Sequence, residues 1–282
     1  MNQLTTERRV QIVSALVEGC SIRSIVRMTG ASKNTVTKLL VDLGAACSAY
    51  QNDAMRNLTC QRVQVDEIWS FVGSKAKNVP ADKIGQYGDI WTWTAICADT
   101  KLVPCWLVGE RDAEYAGAFI ADLASRLSNR IQLTSDGLKC YLKAVDDAFG
   151  GNIDYSMLIK TYGGASAPDS TTTASRYSPP ECTGCKKDWI SGNPDEKHVS
   201  TSYVERQNLT MRMKMRRFTR LTNAFSKKIE NHEAAVALHF MHYNFARIHQ
   251  TLRSTPAMKA GVADHLWSIE EIVGLLRIYN IN

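Results

Sequence analysis

The chain has 282 residues, with 34 Lys and Arg against 28 Asp and Glu, a net charge of +6, 44 % hydrophobic and 22 % charged residues. Those values exclude collagen-like, coiled-coil and mostly disordered chains, and no apolar run approaches the ~18 residues of a membrane span. The start, MNQLTTERR, carries no apolar core behind its charges, so no secretory signal and no membrane role are expected, and the chain is placed in the cytoplasm. The positive balance favours a polyanionic partner without identifying one.

The first fifty residues read as three helices. TTERRVQIVSALVEG opens with threonines able to cap a helix and repeats apolar residues at Val10, Val13, Leu16 and Val17, a one-faced pattern. Ser21 then caps IRSIVRMT, Gly30 marks a tight turn, and Ser32 caps KNTVTKLLVDL. Two short helices around a glycine turn make the helix-turn-helix pattern. Its second helix would carry Lys33, Asn34, Thr35, Thr37 and Lys38 toward DNA, where Asn can pair with adenine edges and Lys with phosphate or guanine. The rival reading is a three-helix bundle for protein contacts.

From Arg62 the period changes to two. RVQVDEIWSFVG alternates apolar and polar positions, and DIWTWTAICADT and KLVPCWLVGE read as a hairpin beside it. DAEYAGAFIADLASRLSN is a helix, IQLTSDG a short strand, LKCYLKAVDDAFG a helix, and IDYSMLIKTYG a strand. Three antiparallel strands, then two parallel ones reached through a helical crossover, give a mixed five-stranded sheet with flanking helices. That element order is the order of a ribonuclease-H-like α/β fold, preceded here by a small all-α helix-turn-helix domain.

Asp66 falls within the first strand, where Asp is disfavoured, and Asp136 at the end of the fourth, which should be its neighbour. Ligands collect at such strand ends. Glu205, in TSYVERQNLTMRMKMRRF, would add a third acid from a helix. Three converging carboxylates repel one another unless cations lie between them, and oxygen ligands select Mg²⁺ or Mn²⁺. Two such ions can activate a water or a 3′-hydroxyl for in-line attack on phosphorus. Glu67 is set aside, because strand alternation sends it to the opposite face. Taken singly, Asp136 reads as a turn residue and Glu205 as a solvated charge.

Residues 206–228 hold eight Lys and Arg and no acid. Glu205, Asn208 and Arg212 share one stripe of a helix, and Arg212, Arg216, Arg217 and Arg220 would track phosphates. Residues 163–199 are rich in Gly, Ser, Thr and Pro and read as a long loop. Cys182 and Cys185 within it have zinc-knuckle spacing and His198 offers a third ligand, but zinc needs four. Two free thiols are the preferred reading, and the other six cysteines read as small core residues. The helix NHEAAVALHFMHYNFARIHQTL is apolar nearly all round and should be buried. SIEEIVGLLRIY would form a short helix serving as an oligomer contact.

VDEIW around Asp66, TSDG around Asp136, STSYVERQNLTMRMKMRRFTRLTNAFSKK around Glu205 and YNFARIHQTLRSTPAM together resemble the bacterial insertion-sequence transposases of the DDE class, in the group of the IS-one elements. The resemblance covers residues 60 to 260. It implies that Asp66, Asp136 and Glu205 are the metal-binding acids, holding two Mg²⁺ or Mn²⁺, and that Arg212 is the basic residue two turns on. It also implies inverted-repeat ends and target DNA as partners, strand cleavage and transfer, a homo-oligomer of at least two copies on DNA, and a nucleoid-associated bacterial setting. The gap from Asp136 to Glu205, longer than in many relatives, is laid to the insertion at 163–199. The expected domains are a helix-turn-helix unit at 1–47, a linker at 48–61, the catalytic domain at 62–256 and a helical tail at 257–282. The rivals are a nuclease of the same fold that never joins strands, and a DNA-binding regulator with an inactive second domain.

Overall fold

The computed structural model describes residues 4–162, 182–219 and 223–281. Arg220 and residues 163–181 of the predicted insertion lie outside them. The chain opens with helices α1 (Thr6–Val17), α2 (Ile22–Thr29) and α3 (Lys33–Ala54). The side chains of Thr5, Ser21 and Ser32 cap them, accepting from the backbone N–H three residues on, as the sequence predicts. Gly30 ends α2 with a left-handed backbone (φ 68°), which glycine adopts without a steric penalty. The third helix is longer than expected. It runs through residues 48–54, where the sequence suggests a linker, because Gln51 is buried there and donates to the Ala237 carbonyl at 3.2 Å.

The sheet follows: β1 (Arg62–Val72), β2 (Gly88–Cys97), β3 (Trp106–Gly109), helix α4 (Ala113–Arg126), β4 (Gln132–Ser135), helix α5 (Cys140–Phe149), β5 (Asp154–Tyr162) and β6 (Cys182–Ser191). Its spatial order is β3-β2-β1-β4-β5-β6. As expected, β1, β2 and β3 are antiparallel, β4 lies parallel to β5, and β4 is the neighbour of β1, to which it also runs parallel. The expectation of five strands is corrected to six. Residues 182–191, read as part of a loop, pair antiparallel with β5 and leave their own outer face largely exposed. The turn-rich composition of the insertion concealed this short strand.

Helix α6 (Ser202–Lys214), helix α7 (Ile229–Met241), a short α8 (Pro256–Lys259) and α9 (Ile269–Ile278) complete the chain. The basic run at 206–228 is not one helix. It leaves α-helix at Met215 with an extended backbone, because Met215 and Phe218 are drawn into the core. One sheet face packs on α4 and α5, with Trp93 against Phe119 and Tyr141. The other face packs on α6 and α7, with Trp106 against Phe240. Helix α3 lies on the far side of α7, whose residues Ala234 to Met241 are all buried, while Ile229, Glu230 and Glu233 near its start stay exposed. The α9 helix is not left free as an oligomer contact. Its Ile272, Val273, Leu275 and Leu276 are buried in the chain's own core, and it packs on α1 and α3.

The contact of α3 with α7 depends on a small residue. A Cβ placed on Gly44 would meet the Ala234 Cα and Cβ at 2.4 Å. Gly44→Ala should therefore force the two helices apart and destabilise the fold by about 1–3 kcal/mol, measured by urea unfolding. An unchanged or raised midpoint would show that the helices are not packed this closely.

Candidate active site

Parallel pairing of β1 with β4 covers only Arg62 to Gln64 against Gln132 to Thr134. Beyond Gln64 the first strand continues while β4 ends at Ser135. The gap between them receives Asp66 and Glu67 from β1 and Asp136 from the turn after β4. One ligand oxygen from each lies within 4.8 Å of the other two. Asp136 is held by its turn, where its Oδ1 accepts from the Leu138 N–H at 3.0 Å.

Alternation along β1 does put Asp66 and Glu67 on opposite faces. Asp66 turns to α6, where its Oδ2 accepts from Asn208 Nδ2 at 2.8 Å. Glu67 turns to α5 and accepts from the Tyr141 hydroxyl at 3.0 Å and from Arg111 Nε at 2.6 Å. With no strand beside them, both carboxylates nevertheless reach the same gap. Arg111 also approaches Asp136, at 3.9 Å. It is the one cation paired with these acids among the described residues, so three carboxylates face a single guanidinium.

Burial acts in the same direction as that imbalance. Burial, then the charges of Glu67 and Asp136, push the Asp66 carboxyl up to about 7. Burial and Asp136 raise Glu67 as well, against the pull of Arg111 and Tyr141. Next to Asp66, the Asn208 Oδ1 is buried without a hydrogen-bond partner. Clustered hard oxygens, excess negative charge and an orphaned amide oxygen fit a divalent cation such as Mg²⁺.

Glu205 stands one helical turn before Asn208 on α6, in electrostatic reach of Asp66 but outside the tight cluster. Its Oε1 pairs with Lys160 of β5 and accepts from the Thr201 hydroxyl at 2.6 Å. Arg111, Tyr141 and Lys160 escaped sequence reading. Each comes from a different element, and only the fold brings them to the acids.

The remaining predicted residues are spread widely. Lys33, Asn34 and Lys38 are exposed at the start of α3, with Lys38 paired to Asp42. The Thr35 and Thr37 hydroxyls bond locally, to Ser32 and to the Lys33 carbonyl. Asn208 is buried on Asp66, Arg212 is half-buried, and Arg216 is exposed. Arg217 turns inward to the Ser226 hydroxyl at 2.5 Å. Cys182 and Cys185 lie on the exposed β6 with sulfurs 3.8 Å apart. His198 is elsewhere, with Nδ1 at 2.6 Å from an Arg62 guanidinium nitrogen.

No family model matches the chain. It is 25 % identical to the insertion element iso-IS1n protein InsB of Shigella dysenteriae over 177 residues, 61 % of this chain and 88 % of that protein. The resemblance to insertion-sequence proteins carried by the motifs is thus shared with a curated relative. A cryo-EM structure of a piggyBac transposase synaptic complex with hairpin DNA aligns over the whole chain and 73 % of its own, at a TM-score of 0.38 and 9 % identity. A likeness that loose carries no argument. No helix among the described residues is long and apolar enough to cross a membrane.

The raised Asp66 carboxyl binds its proton more tightly in the folded chain than in the unfolded one, where its ordinary value is 3.8. Stability is therefore lost as pH rises from about 4 through 7 and stays low above that. In metal-free buffer, Asp66→Asn should stabilise the protein, and its advantage should grow by about 1–3 kcal/mol between pH 5 and pH 8. Paired unfolding curves would reveal it; an advantage equal at both pH values contradicts a protonation penalty at Asp66.

Proposed function

Starting from the likeness to an insertion-element protein, we propose that the chain is a DNA transposase of the DDE class with a ribonuclease-H-like catalytic domain. Asp66, Asp136 and Glu205 would hold two Mg²⁺ or Mn²⁺ ions. The observation that carries this reading is the meeting of Asp66 and Asp136 where β1 outruns β4, with Asn208 tying Asp66 to the helix that bears Glu205. When bound, such ions supply Lewis acidity and a deprotonated oxygen nucleophile for attack on phosphorus.

The protein's own groups prepare that site. Asn208 holds one Asp66 oxygen and so fixes which way the carboxylate faces. Lys160 and Thr201 hold one oxygen of Glu205 and leave the other for a ligand. Arg111 and Tyr141 occupy both oxygens of Glu67, which suits Glu67 to positioning Arg111 rather than to binding an ion. Arg111, 39 % exposed, can turn toward a phosphate held against the acids.

DNA ends would be read by a helix-turn-helix formed by α2 and α3, through Lys33, Asn34, Thr35, Thr37 and Lys38. Arg212, Arg216 and Arg220 would add salt-sensitive phosphate contacts. The working form on DNA would be at least a dimer, because two element ends must be joined to one target.

Asp66→Asn and Glu205→Gln should each lower Mg²⁺-dependent nicking of terminal-repeat DNA by about a thousandfold or more, while Glu67→Gln should leave a measurable rate. The assay is strand cleavage and covalent donor–target joining on labelled oligonucleotides. Full activity in Glu205→Gln would move the third ligand to Glu67. Products that are cut but never joined would contradict transposition. Lys33→Ala with Asn34→Ala should weaken binding to the element ends more than to random DNA, by about tenfold in a competition gel shift; equal losses on both DNAs would remove base readout from α3.

A further inference from the structure

Across α6 from the acids lies a pocket of about 360 Å³. Ile96 of β2, Lys101, Tyr203, Arg206, Arg247 and His249 are among the residues that line it. No Asp or Glu lines it. Among the described residues no carboxylate lies within ion-pair distance of Lys101, Arg206 or Arg247. Glu18, in electrostatic reach of Arg247, is already paired with Lys214 at 2.7 Å.

Lys101 is the most informative of these residues. It is only 9 % exposed, and its ammonium reaches the Ala98 carbonyl. That ammonium also lies 3.2 Å from the centre of the Tyr203 ring. A buried ammonium without a carboxylate is costly unless an anion completes its surroundings. Burial, then the charges of Lys101, Arg247 and Arg206, hold His249 below its usual value. Tyr203 is 42 % exposed and offers aromatic surface for a base. The volume is near the low end for small-molecule sites, room for one nucleotide and not for a duplex.

Position matters as much as charge. Ile96 pairs with Gln64, and Thr94 with Asp66, so the pocket wall lies two residues from the acid, about 7 Å along the same strands. In a duplex strand that is about two nucleotides of rise. Glu205 and Arg206 are chain neighbours directed to opposite sides of α6, one toward Lys160 and the other toward this pocket.

We propose that this pocket takes one nucleotide of the DNA strand near the scissile phosphate, unstacked from its neighbours, with its phosphate on Lys101, Arg206 and Arg247 and its base against Tyr203. The proposal rests on the reading of the chain as a DNA-processing enzyme and adds to it a second, metal-independent contact with the strand.

The test uses the full-length protein in EDTA and a fluorescein-labelled single strand of about five nucleotides. Free dAMP and inorganic phosphate serve as competitors. The variant pair Arg206→Gln with Arg247→Gln should weaken strand binding by about tenfold or more. A control pair that removes two exposed charges elsewhere, Lys143→Gln with Arg277→Gln, should change it less than about twofold. Both pairs alter surface side chains, and thermal melts would confirm that they fold. A 5-iodo-deoxyuridine in the strand should cross-link to Tyr203 in the wild type and not in the Arg pair.

Equal losses in the two pairs would overturn the proposal, as would a wild type that fails to bind the strand. Binding of dAMP or phosphate alone, without the strand, would overturn it too and mark a site for free nucleotide. Mg²⁺-dependent nicking by the same wild-type preparation reports on the acids separately. Nicking without pocket binding sinks only the pocket, and pocket binding without nicking sinks only the transposase reading.

Discussion

The organisation of this protein follows from the unequal lengths of two neighbouring strands. The long β1 has β2 along its whole flank, whereas β4 accompanies it for three residues and then stops. Past that point one edge of β1 has no strand beside it, and side chains from both faces can enter the opening. Carboxylates gathered there repel one another, which is unfavourable in an empty fold. The surrounding core, with Trp93, Tyr141 and Phe119 on one face and α6 and α7 on the other, holds them together regardless. Repulsion stored in this way turns into affinity when a hard cation is supplied.

Much of this plan was legible along the chain. The caps Thr5, Ser21 and Ser32, the glycine at the end of α2 and the change of period at Arg62 are local signals, and the structure contains each of them. The antiparallel pairing of β1 to β3 and the parallel pairing of β4 with β5 followed from the order of elements. The errors have a common origin in long-range packing. Gln51 keeps α3 helical through the expected linker by bonding to a carbonyl 186 positions away. The sixth strand exists because β5 offers it an edge, although its own composition signals turns. The tail helix is buried because α1 and α3 present it with an apolar groove. Glu67 shows a subtler limit: alternation assigned its face correctly, but alternation carries no information about where a neighbouring strand ends.

Helix α6 links the two halves of the proposed chemistry. Its inner stripe presents Asn208 to Asp66 and Glu205 to Lys160, while Arg206 and Tyr203 line a cationic pocket on its other side. Its first turn is fixed to the sheet by Gln64, whose Oε1 accepts from the Tyr203 and Val204 N–H groups at 2.8 and 3.2 Å. Its end is fixed to α1 by the pair of Lys214 with Glu18. A helix anchored at both ends can hold acid and base apart across its own width. On the proposed reading, the negative side would grip cations and the positive side phosphate, and neither would neutralise the other.

On the proposed reading the third ligand comes from helix α6 and not from β1. Anomalous diffraction from crystals soaked in Mn²⁺ tests it most directly. Manganese peaks bonded to Asp66, Asp136 and Glu205, with Glu67 still on Arg111 and Tyr141, are the expected result. Manganese bonded to Glu67 while Glu205 keeps to Lys160, or bound away from β1 altogether, would contradict it.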